Sequence, residues 1–390
     1  MANWKQAFTY VVGSIDDYFD TLQFRVRQRR GIAPVQILAY IGYGTREKFY
    51  IRGRAIEDYT VIDAHDTDSV WRNVLNMYRR FNSREIPYAR VHAYFEGKVY
   101  EAQADDEGFF ALEITLDRPL SDTVIWHDVP LELVDYAAQE SARTVAKVIV
   151  PPLTAQFGVI SDLDDTVIKS DVVNLIKLAR NTFLYNSHTR LPFAGVAEFY
   201  HALQRGVGQG DGGMAEYNPF FYVSNSPWNL YDLLVGFFEV RGIPMGTFFL
   251  SDIGLTPTKL VRANGMKQKS AIIQRLLDTH PQLPFILIGD SGERDAEIYL
   301  NAAQQHPGRV KAIYIRDVSM QRRDRQVQAI IEQAKAVGAE MLLIPDTAAA
   351  AAHALSRGYI SAASIQAIQE ERRADQTKSS AIEALLDDIT

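Results

Sequence analysis

Hydrophobic and polar positions change rhythm part-way along the chain. In the first part the clearest pattern has a period of two: Phe110, Leu112, Ile114 and Leu116 alternate with Ala111, Glu113 and Thr115. Such alternation sets one face of a strand against a core and the other against water. Residues 35–40, 48–52, 90–95 and 98–100 read as further strands, with Gly42-Tyr43-Gly44 and Glu96-Gly97 as turn regions. This spacing predicts a small β-sandwich. Helical periodicity is found in two places here. One is residues 1–30, through Phe8, Val11, Val12, Ile15, Phe19 and Leu22; the other is 66–80, through Val70, Trp71, Val74, Leu75 and Tyr78.

Pro151-Pro152 marks a boundary. Beyond it, short apolar runs at 157–161, 219–224, 246–250, 285–289, 310–315 and 340–344 alternate with helical segments. Those segments lie at about 172–184, 194–204, 229–241, 268–279, 294–305 and 320–337, followed by an Ala-rich helix at 347–355 and a polar tail, expected to fray, from Asp375. Apolar strands alternating with helices predict a parallel sheet buried on both faces. The expected fold class is therefore α/β: a Rossmann-like parallel sheet with helices on both faces and a minimal cap, preceded by a small β-sandwich domain. The boundaries are 1–150 for the helix plus β-sandwich-like domain and 151–390 for the α/β domain with its helical tail.

Composition narrows the chemistry. The 390 residues carry 47% hydrophobic and 23% charged side chains, ordinary for a globular protein. A net charge of −7 argues against binding nucleic acid through a basic surface. The basic cluster Arg25, Arg27, Arg29 and Arg30 reads first as a solvated face, with anionic lipid headgroups as the sharper alternative. Absence of cysteine excludes disulfides, thiolate zinc sites and cysteine nucleophiles, and leaves oxygen-liganded metals open. No signal peptide or membrane-spanning run is evident, so the expected compartment is the cytoplasm, with peripheral contact at a membrane surface as a variant.

The acidic end of the 157–161 strand is the unusual feature. Asp162, Asp164 and Asp165 follow an apolar strand at once. Two carboxylates about 4 Å apart repel by roughly 4 kcal/mol at an effective dielectric of about 20. Helix amides, a proton or a divalent cation must offset that. In open α/β sheets ligands bind beyond the carboxyl ends of the strands. There the first strand delivers Asp162, Asp164 and Thr166; the second, Ser224-Asn225-Ser226; the fourth, Gly289-Asp290 through Asp295. Lys269 opens a helix with Ile272 and Ile273 on its apolar side, and Lys267 is the alternative lysine. Gly289-Asp290-Ser291-Gly292 also echoes a serine-protease nucleophile motif, but it follows a buried α/β strand and the chain order of partners is wrong. The glycine run at 206–213 precedes a strand and lacks a phosphate loop's Gly-Lys-Ser/Thr ending, so it reads as a connector.

Acid, hydroxyl, lysine and acid in this order resemble the haloacid dehalogenase-like phosphatases. The segments VISDLDDTVIKSDV, FFYVSNSPWNLYDLL, FFLSDIGL, PFILIGDSGERDAEIY and VKAIYIRDVS resemble, more closely, the catalytic domain of the actin-patch phosphatidate phosphatase family. That resemblance implies catalytic roles for Asp162, Asp164, Thr166, Ser224 and Lys269. Asp162 is then the nucleophile and Asp164 the general acid and base. Ser224 would bond the phosphoryl oxygens and Lys269 would neutralise their charge. Mg²⁺ is the implied cofactor, held by Asp162, Asp164 through its carbonyl, Asp290 and Asp295, the last of which alternatively orients Lys269.

The expected activity is Mg²⁺-dependent conversion of phosphatidate to diacylglycerol through an aspartyl-phosphate. The partner is thus a phosphate ester, a phospholipid first, and no nucleic acid. The small cap, Phe183-Leu184-Tyr185 with Arg190 and Phe193, and Trp228 motivate the lipid, although these aromatics suit a core equally. A phosphatase for phosphoproteins or small soluble esters is one alternative, and a non-enzymatic scaffold is another.

Overall fold

The computed structural model describes residues 34–57, 85–121, 124–163, 194–208, 217–251, 259–317 and 321–387. The helices expected within 1–30, at 66–80 and at 172–184 lie outside these residues.

The first sheet contains β1 (Val35–Ala39), β2 (Gly42–Gly44), β3 (Lys48–Glu57), β4 (Arg90–Phe95), β5 (Lys98–Gln103), β6 (Phe109–Thr115), β7 (Trp126–Leu133) and β8 (Arg143–Ile149). The strands expected to form a sandwich are hydrogen-bonded into one eight-stranded sheet, in the order β1-β3-β2-β8-β7-β4-β5, with β6 on the other side of β3. Gly42–Gly44, expected as a turn, is the short strand that joins the halves: it pairs antiparallel with β3 and parallel with β8. Phe49, Ile51, Val91, Leu112, Ile114, Val129, Leu131 and Val148 pack into a single core inside this sheet.

The second sheet is parallel throughout: β9 (Gly158–Asp162), β10 (Phe220–Pro227), β11 (Thr247–Ser251), β12 (Phe285–Asp290), β13 (Val310–Arg316) and β14 (Met341–Ile344). Its order is β11-β10-β9-β12-β13-β14. Helices are α1 (Val196–Arg205), α2 (Tyr231–Arg241), α3 (Lys259–Thr279), α4 (Asp295–Gln305), α5 (Gln321–Ala336), α6 (Thr347–Ser356) and α7 (Ser364–Asp387). Alternate strand residues feed two separate cores, as a pleat buried on both faces requires. Val159, Phe220, Tyr222, Ile286 and Tyr314 pack with α1, α2, α6 and α7. Ile160, Phe221, Val223, Leu287 and Ile313 pack with α3, α4 and α5. The order runs outward in both directions from β9 and β12. This places the crevice of the sheet, where ligands bind in open α/β folds, at the ends of those two strands.

The expected fraying from Asp375 is not found: α7 continues to Asp387. It also completes α1, which begins at Gly195 with no side-chain cap of its own. The Glu198 N–H donates to the Glu371 carboxylate at 2.8 Å, and the Gly195 N–H to the Asp375 carboxylate at 3.1 Å. Unpaired N–H groups of a helix start are thus met by acids from α7.

The two sheets meet at β11, an edge strand. The link Tyr40–Tyr43 clasps it, with Tyr40 entering the core on one face and Tyr43 the core on the other. The Thr247 hydroxyl donates to the Gly42 carbonyl at 3.1 Å between them.

Candidate active site

Asp162 is delivered by β9 because Val159 and Ile160 are buried on opposite faces and fix the strand's register between β10 and β12. Ser224 lies in the neighbouring β10, where its register with β11 shifts after Val223, and its hydroxyl accepts the Ser226 N–H at 3.0 Å. Asn225 presses on α3, where a Cβ at Gly265 would lie 2.6 Å from its amide oxygen. That contact sits one helical turn before Lys269.

Lys269 is 2% exposed and holds the centre of the site. Its Nζ lies 2.6 Å from Asp162 Oδ1, 2.6 Å from Asp295 Oδ1 and 3.3 Å from Glu293 Oε2. Lys269, rather than Lys267, is thus the lysine that meets the acids. Burial acts to discharge the ammonium, but Asp162 and Asp295 outweigh it and hold the Lys269 pKa well above the usual lysine range. For Asp162, burial and the Asp295 charge push the pKa well above the carboxylate range against the pull of Lys269.

Asp295 uses both oxygens within the protein. Oδ1 pairs with Lys269, and Oδ2 accepts the Asp290 N–H at 3.0 Å. Gly289 makes this possible, since a Cβ there would lie 2.3 Å from Asp295 Oδ2. Asp290 itself closes the turn that starts α4: its Oδ1 accepts the N–H groups of Gly292 and Glu293 at 2.8 and 2.9 Å. Its Oδ2 is 3.6 Å from the Arg316 guanidinium.

The structure sets one further acid, Glu293, beside two of the expected ones. Among the described residues, Asp162, Glu293 and Asp295 bring carboxylate oxygens within 4.8 Å of one another, and Asp290 is not in that group. Glu293 had no place in the motif reading. The signal was present, because the turn capped by Asp290 returns the third residue after it toward β9. Carboxyl oxygens of three acids converge here against a single ammonium. Hard anionic oxygens of this kind suit a divalent cation such as Mg²⁺, so the donor set fits one. Asp164 and Thr166 lie outside the described residues, as do Phe183-Leu184-Tyr185, Arg190 and Phe193. Trp228 is buried and stacks on Tyr40 at 4.2 Å, so it belongs to the contact between the sheets. His353 bonds the Tyr314 hydroxyl through Nδ1 at 2.9 Å, away from these acids.

The sequence profile described as "Phosphatidate phosphatase APP1, catalytic domain" matches residues 157–317, the stretch that carries every group just described. Residues 157–317 are thus similar to that catalytic domain. Phosphatidate phosphatase APP1 of Saccharomyces cerevisiae is 33% identical over 161 residues, 41% of this chain and 26% of its own length. An uncharacterised protein of Schizosaccharomyces pombe is 27% identical over 164 residues, 42% of this chain and 25% of its own. The chain thus spans about a quarter of the length of these two relatives. A carbohydrate acetylesterase from Xanthomonas citri aligns over 78% of this chain and 75% of its own at 10% identity, with a TM-score of 0.23, too low to carry a structural argument. Among the described residues, no helix is long and apolar enough to cross a membrane.

Proposed function

We propose that this protein is a Mg²⁺-dependent phosphatase of the haloacid dehalogenase-like type, acting on phosphatidate to release diacylglycerol. The observation that carries the reading is the buried Lys269 ammonium shared by Asp162 and Asp295 at 2.6 Å each, at the end of β9. The APP1-type match over the same residues supports the lipid substrate. In this reading residues 1–150 form a separate domain and 151–390 the catalytic one.

Asp162 attacks phosphorus through the carboxylate oxygen turned from Lys269. A P–O bond forms to Asp162 as the bond to the glycerol oxygen breaks, giving an aspartyl-phosphate. Asp164, two residues on, gives its proton to the leaving alkoxide. It then takes one from the water that attacks the same phosphorus and releases Asp162 and inorganic phosphate. Lys269 offsets the charge on the phosphoryl oxygens, and Ser224 with the amides after it hydrogen-bonds them. Asp295 keeps Lys269 in place. Asp162 and Glu293 would hold Mg²⁺, with the carbonyl of Asp164; the cation would withdraw charge from the transferring group and favour ionised Asp162.

Phosphate release from phosphatidate in mixed micelles, with and without Mg²⁺, tests the proposal beside lysophosphatidate, a sugar phosphate and a phosphopeptide. Mg²⁺-dependent release from phosphatidate is expected, lost in Asp162→Asn. Release from soluble esters alone would remove the lipid substrate, and release undiminished in Asp162→Asn would remove the nucleophile.

A further inference from the structure

The eight-stranded sheet reaches the second sheet at one place that matters for chemistry. Ser224-Asn225-Ser226 is followed at once by Pro227 and a single 3₁₀ turn, Trp228–Leu230, which leads into α2. Residues of the first sheet and of its Tyr40–Tyr43 link hold Trp228 and Asn229 of that turn and Tyr231 just after it. The Arg54 guanidinium is 8% exposed. It donates from Nη1 to Asn229 Oδ1 at 2.9 Å, from Nη2 to Glu85 at 2.9 Å and from Nε to the Glu107 carbonyl at 2.9 Å. Tyr40 stacks on Trp228 with ring centroids 4.2 Å apart and planes at 22°, and the Arg52 guanidinium lies 5.0 Å from the same ring. The Ile41 N–H donates to the Tyr231 hydroxyl at 3.0 Å.

We infer that the first sheet is a brace for the irregular Ser224–Pro227 end of β10, with Arg54 and Tyr40 acting as positioning residues through Asn229 and Trp228. Three things favour this over a module merely tethered beside a catalytic domain. The contacts converge on residues four to seven positions after Ser224, with no intervening helix to absorb movement. Arg54 is held by two other groups, so its third bond fixes Asn229 against a rigid frame. The segment is also held from the sheet's other face, because Asn225 rests on Gly265 of the helix that carries Lys269. A loop that must aim a hydroxyl and amides at phosphoryl oxygens loses function when misplaced by about 1 Å, so bracing on both flanks serves the chemistry. This role rests on the phosphatase reading for its consequence, though not for its geometry.

The test uses the full chain and two readouts. One is hydrogen–deuterium exchange across residues 220–227; the other is calorimetric binding of inorganic phosphate with Mg²⁺ present. Arg54→Met and Asn229→Leu are each expected to speed exchange at Ser224–Ser226 and to weaken phosphate binding, both by about tenfold, the effect of losing one buried charge-assisted hydrogen bond. Asn229→Asp keeps an acceptor for Arg54 and is expected to stay within about twofold of the parent on both measures. Arg143→Met, which breaks the Arg143–Glu132 pair on the exposed face of the same sheet, should change neither. Exchange at 220–227 unchanged in both Arg54→Met and Asn229→Leu would overturn the brace, and so would a rise spread equally over β9 to β14. A parent protein that binds no phosphate and hydrolyses no ester would instead overturn the phosphatase reading, while the exchange data would still decide the brace.

Discussion

Lys269 and Asp295 are 26 positions apart in sequence and meet at 2.6 Å, the acid wholly buried and the lysine nearly so. Removing one partner of such a pair strands a charge away from water, which costs about 3–5 kcal/mol. Here the loss is compounded, because Lys269 also faces Asp162. Lys269→Met is expected to lower the urea midpoint and to reduce phosphate release by about a thousandfold. Activity within tenfold of the parent would mean that the lysine only holds the fold together.

Gly289 has a less obvious part. Alanine there needs the space that the Asp295 carboxylate occupies, and that carboxylate cannot retreat without leaving the Asp290 N–H or Lys269. Gly289→Ala should fold, at a cost of about 1–3 kcal/mol. Its turnover should fall by more than about tenfold, as positioning errors near 1 Å do. Comparison of melting temperature with initial rate separates the two effects; a stable variant with full turnover would show that Asp295 has room to move.

The Glu293 side chain is about a third exposed, while those of Asp162 and Asp295 are nearly or wholly buried. An acid at the mouth of the site is suited to capturing a cation from solvent. Glu293→Gln is expected to raise the Mg²⁺ concentration for half-maximal activity by about tenfold and to leave the rate at saturating Mg²⁺ within a few-fold. A Mg²⁺ titration of the initial rate measures both. An unchanged midpoint would remove Glu293 from the ligand set.

His280 lies far from this chemistry and reports on stability. Burial, with a smaller contribution from Arg309, lowers its pKa from 6.5 to about 4. Phe221, Phe285 and Tyr43 surround the ring, and among the described residues its Nε2 has no hydrogen-bond partner. The folded form therefore holds the neutral imidazole. Below pH about 6.5 the unfolded chain binds a proton that the folded chain does not, so stability falls as pH falls, until the folded pKa near 4 is passed. The total loss is on the order of 3 kcal/mol, from about 1.4 kcal/mol per pH unit. His280→Phe should flatten the stability curve between pH 6.5 and 4, measured by urea unfolding across that range; an unchanged slope would place the acid sensitivity elsewhere.

Much of the α/β half was legible because its strands are continuous apolar runs. All six expected between 157 and 344 form, each with ends within a few residues of those expected. The first sheet was harder. β7 contains Pro130, which cannot donate in a ladder and so argues against a strand, and β8 alternates exposed Arg143, Val145 and Lys147 with buried positions. Helix α3 starts at Lys259, well before the expected 268, and includes Gly265, whose low helix preference is overridden by the close approach of Asn225. At the site, Asp162, Ser224, Lys269 and Asp295 stood out by type and by position after a strand or at a helix start. Division of labour among the acids did not, because it depends on which oxygen faces Lys269 and which accepts an amide. That is a matter of packing across separate elements, invisible to spacing along one of them.

The capping of α1 by Glu371 carries a kinetic consequence. The carboxylate that receives the Glu198 N–H lies 173 positions downstream. At ribosomal rates of about 5–20 residues per second, the interval between making the two is on the order of ten seconds or more. During that interval α1 has its apolar face and a neighbouring strand surface, but its leading amides remain bare. The start of α1 is thus completed only by a segment made late, and a nascent chain stalled before Glu371 should be open to proteases at α1.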